Sequence, residues 1–217
     1  MFQRLILAAS GQLNLLTRAP DLRRAQQTST LEDGQIHVWR DVEGASPTEN
    51  LASLAFDLGY RGKIAMKTQT VGLTFYNGQA VVAAFDQILK NGNGIISELR
   101  QDKSIGKLDM HCQAACLSDG ALDAPLISTK GGAFEGNILA DMQGEIFRGG
   151  GDYPRNEFII GSDQRALLCR YASGRRNLDV HDQLTLECSG AYACYHAAMM
   201  QTLIIVKPAK SIVKCMS

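Results

Sequence analysis

The chain has no long apolar run. None of its 217 residues falls in a stretch of the ~18 consecutive apolar residues that a transmembrane helix needs. Phe2 to Ala9 is short, is interrupted by Arg4 and is followed by no clear small-residue cleavage site. It reads as a core strand rather than a secretory signal, so the expected compartment is the cytoplasm. The chain also lacks net charge, with 22 acidic residues balancing 22 basic ones. That balance points to no nucleic acid, no membrane surface and no strongly charged substrate, and it leaves little colloidal repulsion. There is no Cys-x-x-Cys pair among the six cysteines, and a chain this large and cysteine-poor is not a disulfide scaffold. Cys112 and Cys116 lie four apart on a predicted helix, where zinc would need two more ligands and His111 points elsewhere; they read as buried free thiols. Gly149-Gly150-Gly151 is not followed by Gly-Lys-Ser/Thr and comes after a helix, which makes it a helix stop rather than a phosphate loop.

The rest is the composition of an ordinary globular protein, 45% apolar and 20% charged, long enough for one or two domains. Residues 1–17 predict a strand, a Ser10-Gly11 turn and a second strand through Leu13, Leu15 and Leu16. Asp21 is placed to cap a short helix through Gln27. Ile36 to Trp39 alternates as a strand. Ser46, Pro47 and Glu49 make a helix start with a capping box, and Leu51, Leu54, Ala55 and Leu58 follow on one face up to Gly59. Lys63 to Met66 is a strand, Val71 to Tyr76 is ambiguous, Asn77-Gly78 marks a turn, and Ala80 to Leu89 reads as a helix. Strands alternating with helices predict an α/β domain, and its polar residues read as solvated surface.

Asn91 to Gly94 reads as a linker or tight turn. A helix then runs to Leu122 with Leu108, Cys112, Ala115 and Cys116 inward. A second helix spans Glu135 to Phe147 on the stripe Ile138, Leu139, Met142 and Ile146, which is core spacing. Asn156 to Ser162 is a strand. From Asp182 to Pro208 two β-like runs flank a Ser189-Gly190 turn: Leu184 and Leu186 alternate with Thr185 in the first, and Leu203 to Val206 forms the second. Tyr192, Tyr195 and His196 cluster beside Glu187. A carboxylate, an imidazole and two phenols on adjacent strands make a candidate polar site.

This last stretch resembles the first metal-binding hairpin of the pita-bread superfamily, which holds creatinase, prolidase, Xaa-Pro aminopeptidase and methionine aminopeptidase. In the metallopeptidase members that hairpin supplies two acidic ligands eleven residues apart. Here the first position is Glu187 and the second is Ala198, which has no donor, and the usual Arg-Thr reads Gln201-Thr202. Loss of the second carboxylate resembles the metal-independent branch, which includes creatinase and the ectoine hydrolases. The wording Asp182-Gln-Leu-Thr-Leu-Glu187 and Tyr195-His-Ala-Ala-Met-Met200 is most similar to the latter, as is Gly149 through Tyr171 to Gly174-Arg-Arg176. Arg18-Ala-Pro-Asp21 and the Trp39 strand resemble a creatinase-type amino-terminal domain, and Leu99-Arg100 with Lys103-Ser104 the entry into the catalytic domain. Besides Ala198 and Gln201, three more positions depart from the pattern: Lys107 stands for a Glu, Arg170 for a His, and Asp163 for the second glycine of a Gly-Ser-Gly turn. If that last position takes a positive φ, Asp tolerates it less well than Gly.

The resemblance implies an α/β plus α+β fold, with a creatinase-type amino-terminal domain over residues 1–92 and part of a pita-bread catalytic domain over 93–217. It implies a hydrolase without a metal or other cofactor, acting on a small-molecule substrate, ectoine or a similar cyclic amidine, and homodimeric in its full-length relatives. Glu187, His196 and Tyr195 are the candidate catalytic residues. Glu187 is placed to activate water or hold the amidine and His196 to shuttle a proton. Arg170 and Tyr192 are the candidate substrate-binding residues, Arg170 through its fit to a carboxylate. A catalytic domain of this type has roughly twice the residues that follow Ser104, so truncation at the carboxyl terminus, and at the amino terminus too, is expected, with little activity in this chain. Two alternatives stand beside this reading: an Xaa-Pro metallopeptidase, and a non-catalytic remnant that only folds or dimerises.

Overall fold

Alternating apolar residues near the start of the chain pair into a sheet in the computed structural model, which describes residues 2–85, 88–168 and 174–205. The chain divides into two compact units, Met1–Asp102 and Lys103–Ser217. In the first, β1 (Arg4–Leu7) pairs antiparallel with β2 (Leu13–Arg18), and β2 pairs parallel with β3 (Ile36–Trp39). Phe2, Leu16, Trp39, Leu51 and Val81 form its buried core. The Trp39 indole N–H donates to the Phe2 carbonyl at 3.0 Å, which satisfies the one polar atom of a buried ring.

Helix α1 (Leu22–Thr28) forms where expected, but Asp21 does not cap it. A cap residue needs extended backbone for its side chain to fold back onto the first amides. Asp21 instead closes a 3-10 turn and has φ −93° and ψ −3°. Helix α2 (Pro47–Asp57) carries the expected cap, the Ser46 hydroxyl accepting from the Glu49 amide at 3.3 Å. The Asn77-Gly78 turn is corrected. Thr74 accepts the Asn77 amide at 3.2 Å and draws both residues into the first turn of α3 (Phe75–Ala84), which stops where Phe85 turns extended. Of the two readings of Asn91 to Gly94, the tight turn stands: the Asn93 amide donates to the Asn91 Oδ1 at 3.0 Å. The two-residue strands β4 (Ala65–Met66) and β5 (Lys90–Asn91) pair in parallel, and α4 (Asn93–Leu99) follows at once.

In the second unit, Ser104 starts α5 (Ile105–Ser128) by accepting the Lys107 amide at 3.4 Å. The buried face of α5 is Ala114, Ser118, Ala121, Leu122 and Pro125. Leu108, Cys112 and Cys116 are exposed, which corrects the expected inward face. Small side chains won the interface because the neighbouring strand comes too close for larger ones. Helix α6 (Glu135–Arg148) buries Ile138, Met142 and Ile146 as its stripe predicts. The three glycines end it: the Gly150 amide donates to the Phe147 carbonyl at 3.0 Å and the Gly151 amide to Ile146 at 2.8 Å, with Gly150 at φ +78°. These are the two bonds of a Schellman stop.

Strands β6 (Ile159–Ser162), β7 (Gln183–Tyr192) and β8 (Tyr195–Ile204) form an antiparallel sheet in that order. Ile160, Leu184, Leu186 and Cys188 join the α6 stripe in one core. Asp163, just after β6, has φ +53°, so the position does take the left-handed backbone that suits glycine. The turn between β7 and β8 is Ala193-Cys194, at φ +49° and +67°, and not Ser189-Gly190, which lie inside β7. Two left-handed residues make the two-residue hairpin turn that matches strand twist. Of the four thiols in the described residues only Cys188 is buried. Among the described residues no helix is long and apolar enough to cross a membrane.

Candidate functional site

The β7–β8 hairpin has two faces because side chains alternate along a strand. Leu184, Leu186, Cys188 and Gly190 face α5 and α6 and are buried. Gln183, Thr185, Glu187 and Ser189 point the other way and are half-buried. Helix α5 approaches β7 closely at Gly190, where an added Cβ would overlap the Ala114 carbonyl oxygen. The buried Ser118 hydroxyl joins both strands there. It accepts the Gly190 amide at 2.7 Å and donates to the Ala197 carbonyl at 2.6 Å.

The register places each candidate residue. Glu187 sits opposite Met200, Ser189 opposite Ala198, and Ala191 opposite His196. Glu187 and Ala198 are therefore diagonal neighbours on the outward face, ~7–8 Å apart at the backbone. The hairpin brings the two ligand positions of the resembled family to one face, with a carboxylate at one and a methyl group at the other. His196 is on the same face as Glu187 but four residues along, about 13 Å at strand rise. Its Nδ1 lies 3.2 Å from the Cys194 carbonyl oxygen, and its Nε2 is buried without a partner. Tyr192 and Tyr195 close the hairpin as the last pair. By alternation they belong to the α5 face, where the Tyr195 ring meets His111 edge-on at 5.0 Å. Arg170 lies outside the described residues.

Sequence reasoning missed a buried polar cluster behind the hairpin. Glu135, fully buried at the start of α6, accepts the Ser162 hydroxyl at 2.6 Å and the Arg176 amide at 3.2 Å. The Arg176 guanidinium donates to the Ser162 hydroxyl at 2.7 Å and pairs with Asp182 and Asp179. The bond to Asp182 holds the Arg176 pKa above its ordinary value, with the charges of Asp182, Asp179 and Asp163 adding to it. These groups satisfy one another, as buried polar groups must, and tie the first turn of α6 to the entry of β7. The sequence clues, an acidic residue at the first position of a helix and a distant Gly174-Arg175-Arg176 run, share no short-range signature. Nearer the site, burial pushes the Cys188 thiol up to about 11, assisted by the charges of Glu187 and Asp119. It stays protonated and inert at neutral pH.

The fold is mixed α/β and pita-bread-like, similar to part of the fold of the solved Xaa-Pro peptidases. The sequence model of metallopeptidase family M24 matches residues 109–216. Three solved structures illustrate the likeness. The Xaa-Pro dipeptidase from Bacillus anthracis superposes with a TM-score of 0.79 at 17% identity, over 99% of this chain and 57% of that one. The X-Pro aminopeptidase from Thermotoga maritima gives 0.81 at 19%, over 98% and 56%. The prolidase from Pyrococcus furiosus gives 0.75 at 14%, over 95% and 57%. The chain thus spans a little over half the length of these proteins. No curated protein matches it by sequence.

The family's name implies a metal, and the hairpin does not fit one. Of the two ligand positions only Glu187 has a donor oxygen. Among the described residues no group of three His, Cys, Asp or Glu side chains is placed to hold a metal ion. Two bridging metals need carboxylates from both positions.

Proposed function

We propose that this chain is part of a metal-independent hydrolase that opens a small cyclic amidine or amide, with ectoine as the representative substrate. The observation that carries the reading is the lone carboxylate: Glu187 outward on β7, with Ala198 diagonal to it on β8. A carboxylate freed from metal ligation can take a proton from water. The resulting hydroxide adds to the amidine carbon, the ring C–N bond breaks, and the leaving nitrogen gains the proton. The products are an amide and an amine, and no redox partner is needed. Glu187 serves as that base or as the anionic partner of the amidinium. Arg170 would pair with the substrate's carboxylate. We assign the two units to a creatinase-type amino-terminal domain and a pita-bread catalytic domain, cytoplasmic, with homodimers expected of full-length relatives.

A second reading, an Xaa-Pro metallopeptidase, is favoured by the names of the structural neighbours. A third is a chain that folds without catalysis. One assay separates the three: ectoine and an Xaa-Pro dipeptide, each offered with chelator and with added Mn(II). We expect slow ectoine opening, unchanged by chelator and lowered about 10²–10⁴-fold in Glu187→Gln, the range of a removed general base. Metal-stimulated dipeptide cleavage would replace our reading with the second, and no turnover of either substrate would replace it with the third. His196→Ala, Tyr195→Phe and Tyr192→Phe in the same assay read whether the hairpin tip enters the reaction.

A further inference from the structure

Helix α5 turns a chemically distinct stripe to solvent. Asp109, Cys112, Cys116, Asp119 and Asp123 are all exposed. At 100° per residue they lie across the helix from the buried Ala114, Ser118, Ala121, Leu122 and Pro125. Both thiols are free, and nothing in the core explains them.

We propose that Cys112 and Cys116 form a two-coordinate site for a soft monovalent metal ion of the Cu(I) class. Residues four apart on a helix have Cβ atoms ~5–6 Å apart. A disulfide needs them at about 3.5–4.5 Å, so helical backbone disfavours a direct bridge. Two metal–thiolate bonds of about 2.3 Å each set the sulfurs ~4.6 Å apart around an ion, a separation that the wider Cβ spacing accommodates. Thiolates select soft ions. The absence of a third ligand in reach among the described residues disfavours zinc, which wants four, and leaves linear two-coordination open. Asp109, Asp119 and Asp123 stay outside the coordination shell and give the stripe a negative field that concentrates cations. Binding releases the thiol protons as the two sulfur–metal bonds form, and no electron is transferred.

The test is an anaerobic titration of the reduced chain with Cu(I), competed by a chromophoric Cu(I) chelator, with circular dichroism to follow the fold. The wild type should withhold about one equivalent of Cu(I) from the chelator. Cys112→Ser and Cys116→Ser should each lose that equivalent with unchanged helicity, while Cys194→Ser, which alters the exposed turn thiol, should keep it. Retention by either single variant at Cys112 or Cys116, or loss in Cys194→Ser, would overturn the site. So would a wild type that withholds none.

Discussion

A β-carbon at Gly190 would overlap the Ala114 carbonyl oxygen, and both neighbours are fixed by the Ser118 hydroxyl. Backbone cannot yield as a side-chain tip can, so Gly190→Ala should lower stability by roughly 3 kcal/mol or more, a loss of the overpacking kind. Denaturant unfolding measures it, and Ser189→Ala on the open face should change little. At Asp163 the sign reverses. Its φ of +53° strains any residue with a Cβ, and Asp163→Gly should gain up to about 1 kcal/mol by thermal melt. Cys188 carries a pH signature. Its pKa rises from 9.0 to about 11 on folding, so between those values the unfolded chain has lost a proton that the folded chain still holds. The folded state therefore loses stability as pH climbs from 9 toward 11. Cys188→Ala should flatten that decline relative to wild type, read as the difference between their two stability–pH curves.

At the scale of elements, the legible parts were those with local causes. The α6 stripe, the Ser46 cap and the glycine stop after Arg148 all announce themselves within a few residues, and all stand in the structure. Where tertiary contacts decide, the sequence misled. Cys112 and Leu108 look more apolar than Ala114 and Ser118, yet α5 buries the smaller pair because the hairpin at Gly190 leaves no room for more. The hairpin turn fell on Ala193-Cys194 because β7 runs its full pairing with β8, and Ser189-Gly190 offered a local turn signal that the register overrode. The site was half legible. Glu187 and Ala198 do share a face, as the spacing of eleven implied. The expected company of His196 and the tyrosines was a matter of register and of which face each residue takes, and neither shows in a cluster of letters. Glu135, Ser162 and the loop carrying Arg176 and Asp182 come from three separate segments and gave no pattern at all. Their joint burial predicts a large penalty for breaking the set. Glu135→Ala should cost about 1–3 kcal/mol for each buried donor, the Ser162 hydroxyl and the Arg176 amide, left without its acceptor, seen as a fall in melting temperature.

At the scale of the molecule, two units with their own cores carry a fold shared with peptidases nearly twice as long. The fold does not settle the chemistry, because function rests on the groups a site presents. Here the hairpin that carries the resemblance has a carboxylate at Glu187 and a methyl group at Ala198. We propose that this hairpin holds no metal. The most direct test is elemental analysis of the purified chain after incubation with Mn(II), Co(II) or Zn(II) and dialysis, beside Glu187→Ala and Ala198→Asp. The account predicts no stoichiometric metal that depends on Glu187, and a gain of affinity only where Ala198→Asp restores the second carboxylate. One equivalent of metal bound by the wild-type chain and lost in Glu187→Ala would contradict it.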